Sequence, residues 1–170
     1  RVDFDSIEEL DFVLISHNHY DHLDLPTIKM IHKKFPKTTF IIPKGLSLWF
    51  TKRGITRIVE FNWWEGVAFS PSHLDVDIDI TFVPSQHHSG RGIFDMNKSL
   101  WGGDVVTVRK IDVQKRFYFV GDTAYNEFDF KKIGEKFSDI DLLLCPIGTY
   151  IPKKFMETVH LSPEGAVKIH

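Results

Sequence analysis

At 170 residues, 42% of them hydrophobic, the chain is long enough to bury one core and short for two independent ones. A net charge of −2, a pI near 6.5 and the lack of any run of five or more Lys/Arg exclude an extended phosphate-tracking surface, so nucleic acid is not an expected partner. No stretch approaches the ~20 apolar residues that span a bilayer, Arg1-Val2-Asp3-Phe4 lacks the positive-then-apolar pattern of a secretory leader, and a lone Cys145 excludes an intrachain disulfide framework. A soluble chain in a reducing, cytoplasmic compartment is the corresponding expectation.

In chain order, Asp11 to Ile15 is an apolar run of strand length that stops abruptly at the polar Ser16-His17-Asn18-His19. Asp24 as N-cap, Pro26 early in the turn and Ile28, Ile31 and Phe35 at helical spacing predict a helix over 26–34. A strand is expected at 38–42. Leu46, Trp49 and Phe50 mark a short amphipathic helix that Gly54 can end, and 57–61 reads as strand again. Period-two alternation over 77–83 marks a half-buried strand ended by Pro84, with His87 just beyond. Strands at 105–108 and 117–120, joined around Asp112, precede Gly121-Asp122. A helix follows at 127–137, a buried strand at 141–145, and a helix start at Ser162-Pro163-Glu164 with Ser162 as cap.

This alternation predicts a layered α/β protein of one domain, its chemistry in loops after strand ends. Those ends are Ile15 before His17, Val83 before His87, Val120 before Asp122, and Cys145 before Gly148-Thr149-Tyr150. Cys145, closing an apolar strand, is expected to be buried and chemically quiet.

His17-Asn18-His19-Tyr20-Asp21-His22 packs four strong metal-ligand side chains into six residues, directly after a strand and before a helix. Imidazole suits zinc and its first-row neighbours and Asp adds a harder oxygen, so one loop can serve two adjacent cations. His87 and Asp122, at distant strand ends, stand where groups completing the shells should. Convergence is expected because their strands would belong to one sheet system. His32 and His73 stand alone and read as surface residues.

HNHYDHLD resembles the metallo-β-lactamase superfamily motif. Asn62-Trp63-Trp64-Glu65, Pro84-Ser85-Gln86-His87, Ser99-Leu100-Trp101-Gly102-Gly103, Phe119-Val120-Gly121-Asp122-Thr123-Ala124-Tyr125, Pro146-Ile147-Gly148-Thr149-Tyr150 and His160-Leu161-Ser162-Pro163-Glu164 are similar, almost end to end, to the N-acylphosphatidylethanolamine-hydrolysing phospholipase D branch and its bacterial relatives. For the tryptophans, ordinary core or strand packing is an equally open reading.

The resemblance implies an αββα sandwich, here 1–170 as a partial domain lacking the strands before the ligand loop and a C-terminal part. One cation would sit on His17, His19 and His87, the other on Asp21 and His22, with Asp122 bridging. On the same basis His87 rather than His88 is chosen. A further family histidine, usually followed by Trp-Gly, would lie beyond His170, and His170 itself sits in the wrong context to replace it. Two zinc ions are expected, with iron or manganese as alternatives. Asp21 and Asp122 would orient the attacking water, and His160 would protonate or stabilise the leaving group. Tyr20, Gln86, Arg91 and Tyr150 are candidate substrate contacts. Trp49, Phe50, Phe155 and Met156 line an acyl groove or a peripheral membrane face in one reading and pack in the core in the preferred one. The implied activity is phosphodiester cleavage in an N-acylphosphatidylethanolamine-type phospholipid. The alternative is a lactonase acting on a sugar-phosphate lactone. A purely structural metal site fits less well, because structural zinc is usually closed by four protein ligands. Oligomeric state is open, with a homodimer included.

Overall fold

The computed structural model describes residues 3–169, so His170 lies outside the described residues. Three parallel strands form a first sheet: β1 (Phe12–Leu14), β2 (Thr39–Pro43) and β3 (Ile58–Phe61), in that order. Parallel neighbours need crossovers, and these are α1 (Leu25–Lys34) and α2 (Ser47–Thr51). Asp24 caps α1 through a carboxylate that accepts the Thr27 backbone N–H at 2.9 Å.

The second sheet has the order β4 (Gly66–Phe69), β5 (Asp77–Pro84), β6 (Gly102–Lys110), β7 (Val113–Phe119) and β8 (Leu142–Leu144). Its first three pairings are antiparallel, and β8 joins β7 in parallel. The connection from β7 to β8 is α3 (Glu127–Lys136), capped by Asn126. Two short helices, α4 (Lys153–Met156) and α5 (Pro163–Ile169), follow.

Strand alternation sorts the apolar residues into layers. Phe40 and Ile42 of β2 face α1 and α2, packing with Ile28, Ile31, Phe35 and Phe50. Ile41, between them in sequence, points the other way, onto Ile80, Phe82 and Val106 of the second sheet. On the far face of that sheet Val105 and Tyr118 meet Ile133 of α3. The result is helix, sheet, sheet, helix: the αββα sandwich. Each fully buried aliphatic or aromatic side chain in these layers contributes roughly 1.5–3 kcal/mol of transfer free energy.

Several expectations are corrected here. The ligand-bearing strands belong to two sheets, not one: β1 lies in the first, β5 and β7 in the second. What brings their ends together is backbone stitching between sheets, where Gly102 N–H donates to Ser16 O at 3.0 Å and Leu100 N–H to Lys44 O at 2.8 Å. The strand read as buried over 141–145 is an edge strand with Leu142 and Leu144 exposed, since among the described residues only one side of β8 is paired. Cys145, expected to be buried, is only half-buried, and that partial desolvation pushes its thiol pKa upward. Of the residues read by preference as core packing, Phe50 is fully buried, as that reading has it, whereas Phe155 is exposed. The strand β4 and the helix α4, both of four residues, have too short a period to stand out in sequence.

The tryptophan motif serves the architecture. At Asn62–Glu65 the chain leaves the first sheet and enters the second. Trp64 turns with φ 70°, its N–H donates to Phe82 O at 2.7 Å, and the Glu65 carboxylate accepts the Asn62 N–H at 2.7 Å. The Trp63 indole donates to Trp101 O at 2.6 Å, and the Trp101 indole to Ser85 O at 3.0 Å.

Candidate metal centre

The site forms where the C-terminal ends of β1, β5 and β7 meet. The loop after β1 carries His17 to His22. It is held from below by Ser16, whose hydroxyl lies 3.0 Å from His17 Nδ1 and 3.2 Å from His22 Nδ1. It is held from the side by buried Asn18, whose Oδ1 accepts the Gly90 N–H at 2.7 Å. The loops after β5 and β7 are tied to each other. Ala124 N–H donates to Gln86 O at 2.8 Å, Gln86 N–H to Thr123 Oγ1 at 2.9 Å, and Ser85 Oγ–H to Asp122 O at 3.1 Å. These bonds set the positions of His87 and Asp122.

Two ligand groups result, each with its donor atoms within 4.8 Å of one another: His17, His19 and His87, and His17, His22 and Asp122. His17 Nε2 lies 2.8 Å and His87 Nε2 3.3 Å from His19 Nδ1. His87 Nδ1–H donates to Val159 O at 2.9 Å, which leaves Nε2 of the neutral ring with its lone pair facing the cluster. Three imidazole nitrogens aimed at one another repel unless a cation or proton lies between them. Their spacing is close to the about 3.3 Å edge of a tetrahedron whose nitrogen ligands stand 2.0–2.1 Å from zinc. The donor set therefore fits a divalent cation.

Electrostatics agree with that fit. Burial, followed by the neighbouring imidazoles of His22, His87 and His19, holds the His17 pKa far below its usual range. Burial pushes His87 down to about 4, and burial and His88 lower His19. All three are thus neutral ligands at physiological pH. For His22 burial opposes the charge, but the Asp122 carboxylate at 3.1 Å outweighs it and raises the pKa. Asp122 is the mirror case: burial favours its acid form, yet the bond to His22 holds it ionised and its pKa low.

The remaining candidates are placed as follows. Asp21 stands outside both groups, with its side chain 80% exposed and Oδ2 at 3.6 Å from His22 Nε2. His160 Nδ1 is 3.8 Å from Asp122 Oδ2, and its ring stacks edge-on against His87 at 5.1 Å. It is brought there because Val159 O and Thr158 O accept hydrogen bonds from His87 and Gln86, while Ser162 Oγ caps the next helix at Gly165. Tyr150 and His160 line a cleft of about 280 Å³ together with Tyr125, Lys153 and Lys168. Tyr20 is exposed beneath the Arg91 guanidinium, 4.1 Å from its ring centroid, and Arg91 Nη1 donates to Leu23 O at 2.8 Å. His88 lies outside the two groups, packing its ring at 4.8 Å from that of His19. His32 is half-buried in the last turn of α1, and His73 is exposed beside Asp11.

Sequence reasoning missed Ser16, Asn18 and the Val159 carbonyl. Ser16 and Asn18 flank the first histidine, a detectable position, but both residue types are too common there to stand out. A backbone carbonyl leaves no trace in sequence at all.

A family model described as "Beta-lactamase superfamily domain" matches residues 1–170. The N-acyl-phosphatidylethanolamine-hydrolyzing phospholipase D 1 of Caenorhabditis elegans is 39% identical over 98% of this chain and 46% of its own length. The enzyme of the same activity from Saccharomyces cerevisiae, named as mitochondrial, is 34% identical over 94% of this chain and 33% of its own. The chain thus spans less than half the length of these relatives. Among solved structures, a metallo hydrolase from Ignicoccus hospitalis superposes with TM-score 0.58 at 22% identity, over 82% of this chain and 52% of that one. Zinc-bound PqqB from Methylobacterium extorquens superposes with TM-score 0.54 at 12% identity, over 89% and 54%. At those identities the two structures speak for the fold alone.

Proposed function

Because the chain belongs to the β-lactamase superfamily, we propose that it forms the ligand-bearing part of a two-cation hydrolase that cleaves a phosphodiester. The substrate is an N-acylphosphatidylethanolamine-type phospholipid, and the products are phosphatidic acid and an N-acylethanolamine. The observation that carries the hydrolase reading is the convergence of His17, His19 and His87 beside His22 and Asp122 from loops of two sheets. The choice of phospholipid rests on the two relatives of that printed activity. Residues 1–170 act in this reading as one partial hydrolase domain.

His17, His19 and His87 would hold one cation, and His22, Asp21 and Asp122 the other, with Asp122 reaching both. Zinc matches these donors best, with iron and manganese as alternatives. Such a pair would supply Lewis acidity toward phosphate oxygens and make a nearby water more acidic. The chain's own residues do the rest. Asp122 would accept a hydrogen bond from the water that attacks phosphorus and orient it. His160, 3.8 Å from Asp122, stands on the side of the leaving alcohol and delivers its proton. Tyr150, in the cleft with Lys153 and Lys168, contacts the departing group. Gln86 and Arg91 are braced by backbone carbonyls and keep N–H donors free for phosphate oxygens. Tyr20, stacked on Arg91, fixes the plane of that guanidinium. Peripheral membrane contact goes with a lipid substrate, and a cytoplasmic location is proposed beside it. Among the described residues no helix is long and apolar enough to cross a membrane.

Turnover in heavy-oxygen water by the complete, metal-loaded protein is the test. Attack at phosphorus puts the label in phosphatidic acid and leaves the N-acylethanolamine unlabelled. Label in the alcohol means attack at carbon. Hydrolysis of a sugar-phosphate lactone with no turnover of any N-acylated phospholipid would replace this substrate with the lactone.

A further inference from the structure

The segment Gly90–Ser99, between β5 and β6, is closed at its base and apolar at its tip. The Asp95 carboxylate accepts the Arg91 N–H at 3.0 Å and the Gly92 N–H at 2.7 Å. Asn97 N–H donates to Ser89 O at 2.9 Å, and Ser89 Oγ–H to Ser99 O at 2.6 Å. Tied in this way, the loop cannot fold its tip back onto the protein, and Ile93 and Phe94 are left 88% and 87% exposed, with Met96 and Leu48 of α2 also exposed. Apolar side chains held out rigidly and together mark a contact surface.

Beside the tip runs an open groove of about 380 Å³ lined by Trp49, Lys52, Arg53, Arg91 and Lys98. Its one acid, Asp95, is already occupied by backbone amides. Arg53 and Arg91 lie 3.9 Å and 5.5 Å from the Trp49 ring, so the indole holds two guanidinium groups at the rim. The face therefore combines a protruding apolar tip with unneutralised cations.

We propose that this face docks on an anionic phospholipid bilayer, Ile93 and Phe94 entering the acyl boundary and Lys52, Arg53 and Lys98 meeting lipid phosphates. Charge and area both select that occupant. An apolar tip backed by Lys and Arg is how interfacial anchors bind. Two side chains that bury at most ~250 Å² each fall well short of the roughly 1,200–2,000 Å² of a stable protein–protein interface. The same loop grips the metal centre, since Gly90 bonds Asn18 and Arg91 covers Tyr20, so docking would bring the ligand cluster to the bilayer surface. The inference deepens the reading above and rests on it only for what the docked protein acts upon.

The test is co-sedimentation of the whole chain with phosphatidylcholine vesicles, pure or holding about 30% phosphatidylglycerol, and no N-acylated lipid. Binding is expected to the anionic vesicles only and to weaken as salt rises from ~0.05 M to ~0.5 M. Ile93→Asp with Phe94→Asp should weaken it at least tenfold, and Lys52→Glu or Lys98→Glu about fivefold or more each. Equal binding to neutral vesicles, or indifference to the tip substitutions, would overturn the proposal. So would self-association in the ultracentrifuge that the tip substitutions abolish without changing vesicle binding, because the occupant would then be a second copy. If the doubly substituted chain does not fold, Phe94→Trp replaces it: its added emission must shift to the blue and be quenched by brominated lipid, and an unchanged spectrum counts against docking. Vesicle binding without turnover of N-acylated phospholipid would leave the docking face standing and remove the substrate, whereas turnover without binding would do the reverse.

Discussion

Asp104 sits on β6 between Phe82 and Phe119, 1% exposed, with no hydrogen-bond partner for either oxygen. Desolvation pushes its pKa up to about 8. An unfolded Asp ionises near 4, so across pH 4–8 the folded chain alone keeps the proton and stability falls as pH rises, by about 1.4 kcal/mol per unit of pKa shift. Asp104→Val should therefore stabilise little at pH 4 and by several kcal/mol at pH 8, read from urea unfolding at both. Equal gains at the two pH values would show that the carboxyl is not protonated in the fold. At His160 the expectation concerns turnover. His160→Ala should lower kcat by roughly 10²–10⁴ with metal content unchanged, if its imidazole serves the leaving group as proposed. Loss of metal in that variant would make it a ligand. The clustering of the candidate ligands His17, His19 and His22 was legible in sequence because local spacing encodes it. The burial of Asp104 was not, because it depends on which strands flank β6 and how the two sheets close over it.

Glycines at the strand ends decide how closely the elements meet. Gly121 adopts φ 67°, and a Cβ there would stand 2.6 Å from Gly102 O and 2.9 Å from Ser16 Cβ, inside the contact that joins the sheets. Gly121→Ala should cost about 2–4 kcal/mol and weaken zinc binding, because Asp122 follows directly. Gly134→Ala, in α3 with nothing within 4 Å, should instead stabilise by about 0.5–1 kcal/mol. Paired urea titrations check both, and a harmless Gly121→Ala would mean that the sheets can separate at Ser16 without loss. Helix α1 was readable from its cap and spacing, whose forces are local. The edge position of β8 and the brevity of β4 were not, since pairing partners lie far away in sequence.

For the molecule as a whole, cation binding and folding are linked, because the ligand groups draw on loops from both sheets and exist only in the folded state. Zinc at a thousandfold excess over Kd should add about 4 kcal/mol, a rise of roughly 8–16 °C in Tm for a chain of this size, reversed by chelator. Calorimetric titration should resolve a tighter step on His17, His19 and His87 and a weaker one at His22. His17→Ala should abolish the tighter step and leave the weaker one, since His22, Asp21 and Asp122 would hold the second cation. No thermal shift with zinc, manganese or iron would contradict the centre.

By itself the sequence determined the layered α/β class and the strand-to-loop position of the candidate ligands, because these follow from periodicity and from side chains a few residues apart, while the αββα sandwich and the family came through the resemblance of its motifs. Tertiary structure alone decided that the candidate ligand loops come from two sheets, that His17 lies in both candidate groups, that Asp21 is exposed outside them, that the tryptophan motif is a bridge between sheets, and that Ile93 and Phe94 are exposed. Each of these depends on the register and approach of segments distant in the chain. A period-two or period-3.6 pattern records which face of an element is apolar, not which other element that face meets.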